Sequence, residues 1–386
     1  MTESWLLDLS DVLKAGSTNP SLSSLVSDWN GRPLVVYGAG PAGKCVCDIL
    51  LRLDAKPECI LDGRADRLPS RYAGIPILSL KQCDFTNTWK RDAVVLVCVV
   101  QGIQTHTAIA ENLVHEGFRT IIPWIQKAFS SDAMRTSGHV EPRLEDFQES
   151  IMSCAELLED TLSRETYLSL MTACVLRRFD ELGFIDPEEQ YFPSNIDMNK
   201  GYQSFMDCGA FRGDTLDRLV EKVGVPNTYI AFEPDSRNFP DLVRRVEELN
   251  IDRSLLFPCG VSRTTKPYRF TIDQIHDGAG SSLDPTGEDL VQCVAIDECL
   301  KGIDPTFIKI DIEGNEIEAL IGARKTIERC LPDLAVAIYH YADHYFEIIN
   351  LLHRWNLGYR FNMRTYDFFG NETILYATCR SSPETV

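Results

Sequence analysis

The sequence lacks several features of membrane, secreted and nucleic-acid-binding proteins. No uninterrupted apolar stretch approaches the roughly 20 residues that a membrane-spanning helix needs. Met1–Ser10 contains no basic region and no long apolar run, so a secretory signal is not expected. Basic residues are few, 38 against 57 acidic ones, which argues against a broad phosphate-binding surface. We therefore expect a cytoplasmic protein that binds neither membranes nor nucleic acids.

The 13 cysteines include no Cys-x-x-Cys pair, which argues against the common zinc and redox motifs. Most of them lie inside apolar segments, as Cys98 does. Cys45 and Cys47 would place their thiols on different faces of a helix, which is poor geometry for a metal. We expect reduced, buried cysteines that behave as small hydrophobic residues.

The chain has 386 residues, more than one hydrophobic core usually contains, which predicts two domains. Apolar runs alternate with helical patterns in an N-terminal domain that is predicted to cover residues 1–128. Residues 129–199 are predicted to contain a polar linker and a helical bridge that packs the two sheets together. Strand–helix alternation resumes in residues 200–386. The predicted fold class is therefore α/β, with two Rossmann-like domains.

A glycine motif in the N-terminal domain indicates a nucleotide-binding turn. Gly38, Gly40 and Gly43 follow a predicted strand and begin a predicted helix, and Asp62 ends the next strand. In such a context the acid binds a ribose. The motif resembles the nucleotide or nucleotide-sugar binding domains of sugar-modifying enzymes. A turn kept only for packing or dimerisation is an equal alternative.

Acids and glycines also follow three predicted strands of the C-terminal domain. Asp207 precedes Gly209 and Gly213, Glu233 ends the next strand, and Asp311 ends a later one. In open α/β sheets, ligands bind at the carboxyl ends of the strands. A glycine turn lets the backbone approach a ligand, and the acid after the second strand can accept both hydroxyls of a ribose. This order favours S-adenosylmethionine (SAM) over a dinucleotide.

Five ordered segments resemble the FkbM-type methyltransferases. They are Asp207–Thr215, Phe232–Asp235, Pro258–Ser262, Gly280–Leu283 and Ile308–Glu316. The chain departs from the family pattern at Phe211 and Cys259. The resemblance covers about residues 200–380 and implies a class I SAM-dependent methyltransferase fold. The family consists mostly of O-methyltransferases of sugars, polyketides and other secondary metabolites.

The resemblance also implies which residues bind the cofactor. Glu233 would hold the ribose, the turn at Gly260 would border the adenine, and Asp311 would lie beside the transferred methyl group. The implied cofactor-binding residues are Asp207, Gly209, Ala210, Gly213, Thr215, Glu233, Pro234, Gly260, Val261, Ser281, Ser282, Asp311 and Glu313.

Methyl transfer to a hydroxyl requires alignment of the nucleophile and removal of its proton. The candidate catalytic residues are His340 at the end of a predicted strand, the nearby Asp343, and Asp311. His340 could equally be a structural hydrogen-bonding residue. These residues and Glu313 could instead hold Mg²⁺, but nothing in the spacing demands it, so no metal is predicted.

The predicted function is therefore a SAM-dependent O-methyltransferase. Its acceptor would be a small molecule with a hydroxyl, such as a sugar, a nucleotide-linked sugar or a secondary metabolite. The sequence permits a homodimer without requiring one. The alternatives are a nucleotide-dependent oxidoreductase and a nucleotide-binding scaffold, each acting through the N-terminal glycine motif.

Overall fold

The computed structural model divides the chain into two compact units, Met1–Gln148 with Ser169–Leu182 and Glu149–Leu168 with Gly183–Val386. This division splits the predicted helical bridge between the two units, while the predicted boundaries at residues 128 and 200 stay a prediction. The beginning of the predicted linker, residues 129–143, lies outside the described residues. The described residues are 4–16, 26, 28–29, 31–99, 103–123, 144–176, 182–272, 281–283, 287–367 and 370–379.

The first unit contains a six-stranded sheet in the order β3-β4-β2-β1-β5-β6, parallel except for the edge strand β3. Its strands are β1 Leu34–Tyr37, β2 Cys59–Leu61, β3 Arg71–Tyr72, β4 Ile75–Leu78, β5 Val94–Val97 and β6 Thr120–Pro123. Its helices are α1 Ser4–Gly16, α2 Pro41–Arg52, α3 Asn87–Asp92 and α4 Ile103–His115. Strand β5 is buried along its whole length, as its continuous apolar sequence predicts for a central parallel strand.

The second unit contains a seven-stranded sheet in the order β16-β17-β15-β14-β7-β8-β9 and a four-stranded sheet in the order β10-β13-β11-β12. In the larger sheet β17 alone runs in the direction opposite to the other six strands. The strands are β7 Ser204–Cys208, β8 Thr228–Phe232, β9 Arg253–Phe257, β10 Gly260–Val261, β11 Lys266–Thr271, β12 Ser282–Leu283, β13 Asp289–Val294, β14 Phe307–Ile310, β15 Asp333–Ala337, β16 Tyr359–Thr365 and β17 Thr373–Cys379.

The helices that complete the described chain are mostly short and flank the strands in sequence. They are α5 Gln148–Glu156, α6 Thr161–Leu176, α7 Asp214–Lys222, α8 Phe239–Glu248, α9 Ile296–Cys299, α10 Glu316–Gly322, α11 Arg324–Cys330 and α12 His344–Arg354. The strand–helix alternation and the parallel sheets confirm the α/β fold class. None of the described helices is long and apolar enough to cross a membrane.

The beginning of α6 belongs to the second unit because it is bonded to a buried arginine of that unit's larger sheet. Arg364 of β16 is only 2% exposed, and a buried guanidinium needs a charged partner. Its Nη2 donates to Asp160 Oδ2 at 2.6 Å, and its Nη1 donates to Ser163 Oγ at 2.9 Å. These contacts fix the start of α6 against the edge strand of the larger sheet.

Most of the described cysteines are buried, as the sequence predicts. All 12 whose side chains are described are free thiols, and nine of them are buried. Burial raises the pKa of Cys154, Cys259 and Cys293 to about 12. A thiol with so high a pKa is protonated and unreactive at neutral pH.

The order of the larger sheet creates a crevice between β7 and β14. The chain proceeds from β7 to β8 and β9 on one side, and from β14 to β15 on the other. The connections leaving β7 and β14 therefore diverge, and such a switch point is where ligands bind in open α/β sheets. Gly209 lies there with a φ of +84°, and a Cβ added to it would come 1.9 Å from Asp311 O.

Because of this close approach, we expect Gly209→Ala to destabilise the protein by more than the cost of placing an alanine at a positive φ. Gly224 is a matched control, because its φ is +110° and a Cβ there would meet nothing within 4 Å. We expect Gly224→Ala to lower the free energy of unfolding by about 1–2 kcal/mol. Gly209→Ala should cost roughly 3 kcal/mol beyond that or prevent folding. Urea denaturation measures both, and equal losses would contradict the proposed packing.

Candidate functional site

A cavity of about 330 Å³ lies at the carboxyl ends of β7, β8, β14 and β15. Most of the predicted cofactor-binding residues line it. These are Gly209, Thr215, Glu233, Pro234, Gly260, Val261, Ser281, Ser282, Asp311 and Glu313. Asp207, Ala210 and Gly213 do not line it, and neither do His340 and Asp343. The structure thus gathers ten of the predicted residues around one space and leaves these five out of its lining.

Glu233 is buried where β8 ends, and both of its carboxylate oxygens bind backbone N–H groups. Phe211 N donates to Oε2 at 2.9 Å, and Asp235 N donates to Oε1 at 2.8 Å. Burial raises the pKa of Glu233 to about 7, although these two hydrogen bonds act in the opposite direction. The acid therefore fixes the turn after β7 and still faces the cavity.

A buried ion pair between Lys309 and Asp207 stabilises the turn after β7. Lys309 Nζ donates to Gly209 O at 2.6 Å and lies 3.1 Å from Asp207 Oδ1. Tyr229 Oη donates to Asp207 Oδ2 at 2.9 Å. Burial would lower the pKa of Lys309, but the carboxylates of Asp207 and Asp311 outweigh it and raise that pKa. Asp207 thus acts on the turn through Lys309, a lysine that stands out in sequence within the apolar strand β14.

The wall at the ends of β14 and β15 is acidic. Asp311 Oδ2 accepts a hydrogen bond from Tyr191 Oη at 2.7 Å. Glu372, just before β17, accepts one from Gln190 Nε2 at 2.6 Å and one from Tyr339 Oη at 3.3 Å. Burial, and next the nearby Asp311, raise the pKa of Glu372 to about 7. Glu372 and Tyr191 are not among the predicted site residues, because neither follows a parallel strand or belongs to a glycine motif.

His340 lies behind Asp311 and Glu313 rather than on the cavity surface. Its Nδ1 is 3.1 Å from Glu316 Oε1, and its Nε2 is 3.5 Å from Glu313 Oε2 and 3.6 Å from Asp311 Oδ1. Burial would lower the pKa of His340, but Glu316 and Glu313 outweigh it and raise the pKa well above its usual value. Asp343 precedes α12, where its carbonyl oxygen accepts the N–H of Glu347 at 2.8 Å.

The opposite end of the cavity is formed by the smaller sheet and its connections. Gly260 packs closely, because a Cβ there would come 2.9 Å from Cys293 Sγ. Asn315 Nδ2 donates to Val261 O at 2.8 Å. Ser281 Oγ donates to Asp235 Oδ2 at 3.1 Å. These contacts tie the smaller sheet to the residues that follow β8 and β14.

The glycine motif of the first unit has an acid arranged in a similar way. Asp62 Oδ2 accepts the N–H of Ala39 at 2.9 Å, and Oδ1 accepts the N–H of Arg64 at 2.8 Å. A Cβ on Gly43 would come 1.8 Å from Gly38 O, so this glycine allows the helix to approach the turn closely. Gly40 has open space around it. In this structure Asp62 stabilises the turn, and the nucleotide-binding role stays a prediction.

Comparison with known structures identifies the fold. The methyltransferase FkbM from Methylobacillus flagellatus KT matches 97% of this chain and 99% of its own, with 21% sequence identity and a TM-score of 0.71. Fibrillarin from Aeropyrum pernix, solved with natively bound S-adenosyl-L-methionine, matches 49% of this chain and 72% of its own at 11% identity and a TM-score of 0.32. The second likeness is too weak to bear on function.

Comparison with sequence families agrees with the site. None of the curated proteins compared with the chain matches it. The family model of the methyltransferase FkbM domain matches residues 207–361, which run from the turn after β7 into β16. That range includes the glycine turn, Glu233 and Asp311. Residues 207–361 of this chain are therefore similar in sequence to the FkbM methyltransferase domain.

Proposed function

We propose that the protein is a SAM-dependent O-methyltransferase that acts on a hydroxyl group of a small molecule. The observation that carries the proposal is the placement of Glu233. This acid ends β8, binds the turn after β7 through a backbone N–H, and lines a cavity whose other wall carries Asp311 and Glu372. One end of the cavity thus suits a ribose, and the other suits a group that must lose a proton.

The residues at the Glu233 end fit the cofactor. An ionised carboxylate has about four acceptor positions, so two remain on Glu233 after it accepts the N–H groups of Phe211 and Asp235. Those two positions suit the two hydroxyls of a ribose. Gly209 has no side chain and a left-handed φ, so the backbone there is open to close approach by a ligand.

The residues at the other end fit proton removal from an acceptor. When bound, S-adenosylmethionine supplies a methyl group on a positively charged sulfur. The carboxylates of Asp311, Glu313 and Glu372 line the same cavity and favour a positive charge there. The acceptor hydroxyl must lose a proton, and Glu372, with a pKa raised to about 7, is suited to accept it. We therefore assign the base role to Glu372 rather than to His340 or Asp343.

The size and charge of the site favour a small acceptor. A cavity of about 330 Å³ has little space beyond a nucleoside-sized ligand. The chain carries a formal charge of −19, which disfavours a polyanionic acceptor. A sugar or another polyhydroxylated metabolite fits these constraints.

Binding of S-adenosylhomocysteine should depend on pH through Glu233. Because the pKa of this acid is raised to about 7, it gains its charge between pH 6 and pH 8. Only the charged form accepts both ribose hydroxyls fully, so we expect the affinity to rise with pH over this range. Glu233→Gln should weaken binding by roughly 10- to 100-fold and remove the pH dependence, since hydrogen bonds to charged groups contribute about 1.5–3 kcal/mol.

Isothermal titration calorimetry of the cofactor-free protein at several pH values measures both effects. Glu248→Gln, on the exposed face of α8, is the matched control and should leave the affinity unchanged. Failure of well-folded wild-type protein to bind would overturn the SAM assignment. Wild-type binding that is equally tight from pH 6 to pH 8 would contradict the role of the charged Glu233.

Glu372→Gln should slow methyl transfer and spare cofactor binding. We expect turnover to fall by about 10²- to 10⁴-fold, because the amide cannot accept the hydroxyl proton. The affinity for S-adenosylhomocysteine should stay within about threefold, since Glu372 precedes β17, which three strands of the sheet separate from β8. Mass spectrometry with methyl-deuterated cofactor and a pool of hydroxylated metabolites measures the transfer. The exposed Glu188→Gln is the control.

Two results would count against this proposal. Unchanged turnover in Glu372→Gln would remove Glu372 as the base. A labelled product whose methyl group is on nitrogen or carbon would show that the acceptor atom is not oxygen, while leaving the methyltransferase itself intact.

A further inference from the structure

One imidazole in the second unit, that of His340, lies among three carboxylates. The side chain of His340 is 10% exposed, and its Nε2 makes no hydrogen bond. Nε2 points toward Glu313 Oε2 at 3.5 Å and Asp311 Oδ1 at 3.6 Å. Buried polar atoms nearly always have a partner, so this nitrogen requires an explanation.

Glu316 orients the ring of His340. This glutamate is fully buried, and its Oε1 accepts the N–H groups of Ile312 at 3.0 Å and Gly314 at 3.1 Å. The same oxygen lies 3.1 Å from Nδ1 of His340. Once a metal ion displaces one proton from the ring, a carboxylate in that position keeps the remaining proton on Nδ1 and leaves the lone pair on Nε2, as it does behind many metal-binding histidines. The lone pair then faces two anionic oxygens, an arrangement that a cation between them would stabilise.

The backbone is strained where it presents Glu313. This residue has a φ of +57°, and Gly314 after it has a φ of +101°. A Cβ on Gly314 would come 2.4 Å from the ring of Tyr341, so the turn has no space for another residue type. Residues other than glycine adopt the left-handed region at a cost, and such strain concentrates at ligand-binding sites.

We propose that Asp311, Glu313 and His340 bind a divalent metal ion. One oxygen of each carboxylate and one nitrogen of the imidazole all lie within 4.8 Å of one another. Around an ion with bonds of about 2.1 Å, neighbouring ligand atoms are about 3.0–3.4 Å apart. The observed distances of 3.5 Å and 3.6 Å from Nε2 need only a small contraction. The sequence expectation of no metal rested on spacing, and these residues meet only in the folded chain.

The ligand types favour a first-row transition metal. An imidazole suits Zn²⁺ and its neighbours, whereas carboxylates also suit Mn²⁺ and Mg²⁺. One imidazole with two carboxylates therefore points to Mn²⁺ or Zn²⁺ rather than Mg²⁺. Asp311 and Glu313 are 16% and 31% exposed and line the cavity, so the ion would keep positions open on that side. If the proposed function holds, an acceptor hydroxyl could bind there.

Metal binding can be measured without any methyl transfer. Untagged protein is treated with a chelator, dialysed and titrated with Mn²⁺, and the free ion is followed by electron paramagnetic resonance. Zn²⁺ and Mg²⁺ are then added as competitors. We expect one Mn²⁺ per chain, displaced by Zn²⁺ at far lower concentration than by Mg²⁺. His340→Gln and Glu313→Gln should each weaken Mn²⁺ binding by at least about tenfold.

His344→Gln is the matched control. His344 is also buried, and its Nδ1 lies 3.3 Å from the second oxygen of Glu316, but it is not among the three ligands. Its substitution should change the thermal stability as His340→Gln does and leave Mn²⁺ binding within about threefold of wild type. Circular dichroism confirms that each variant is folded.

Several results would overturn the inference. Wild-type protein that binds neither Mn²⁺ nor Zn²⁺ would show that the imidazole meets the two carboxylates as a protonated cation. Equal binding by wild type and His340→Gln would place the ion elsewhere. Mg²⁺ competing as well as Zn²⁺ would refute the choice of metal. Calorimetry with S-adenosylhomocysteine on the same metal-free protein tests the cofactor cavity independently, so failure of one proposal is distinguishable from failure of the other.

Discussion

The site in the second unit depends on the buried lysine in β14. Lys309 Nζ donates to Gly209 O at 2.6 Å and pairs with Asp207 at 3.1 Å, so it joins the two strands that border the crevice. Removing either charge would leave the other buried without a partner, which is strongly destabilising. The turn after β7 can therefore keep one conformation, with Gly209 pressed against the backbone of Asp311. This buried pair therefore helps to fix the shape of the cavity, because it holds the turn that lines one side of it.

Several acidic side chains lie at this end of the sheet, and each has different hydrogen-bonding or ion-pair partners. Glu233 binds two backbone N–H groups, Asp207 binds a lysine and a tyrosine, and Glu372 binds a glutamine and a tyrosine. The pKa of Glu233 and that of Glu372 are still raised to about 7, because burial outweighs their hydrogen bonds. Such groups change charge near neutral pH, which suits ligand binding and proton transfer.

The two units share one local arrangement of an acid and a glycine turn, but the acid has different surroundings in each. In each, the acid after the second strand accepts a backbone N–H from the glycine turn after the first, Ala39 for Asp62 and Phe211 for Glu233. Both arrangements follow from parallel strand order, since neighbouring strands end at the same edge of the sheet. In the first unit Asp62 also binds Arg64, whereas Glu233 borders a cavity. The glycine pattern alone does not distinguish a supporting acid from a binding one.

The sequence by itself determined the α/β fold, the FkbM resemblance and ten of the 23 residues that line the cavity, because these depend on short motifs that follow strands in chain order. Tertiary structure decided the rest. Tyr191 reaches Asp311 across 120 positions of the chain, and Glu372 faces the cavity from the hairpin before β17, so no spacing rule could place them. The tertiary structure also places Asp207 outside the cavity, where it pairs with Lys309, and places His340 beside Glu313. Burial and hydrogen-bond partners, which set the pKa of each acid, exist only once the strands have paired.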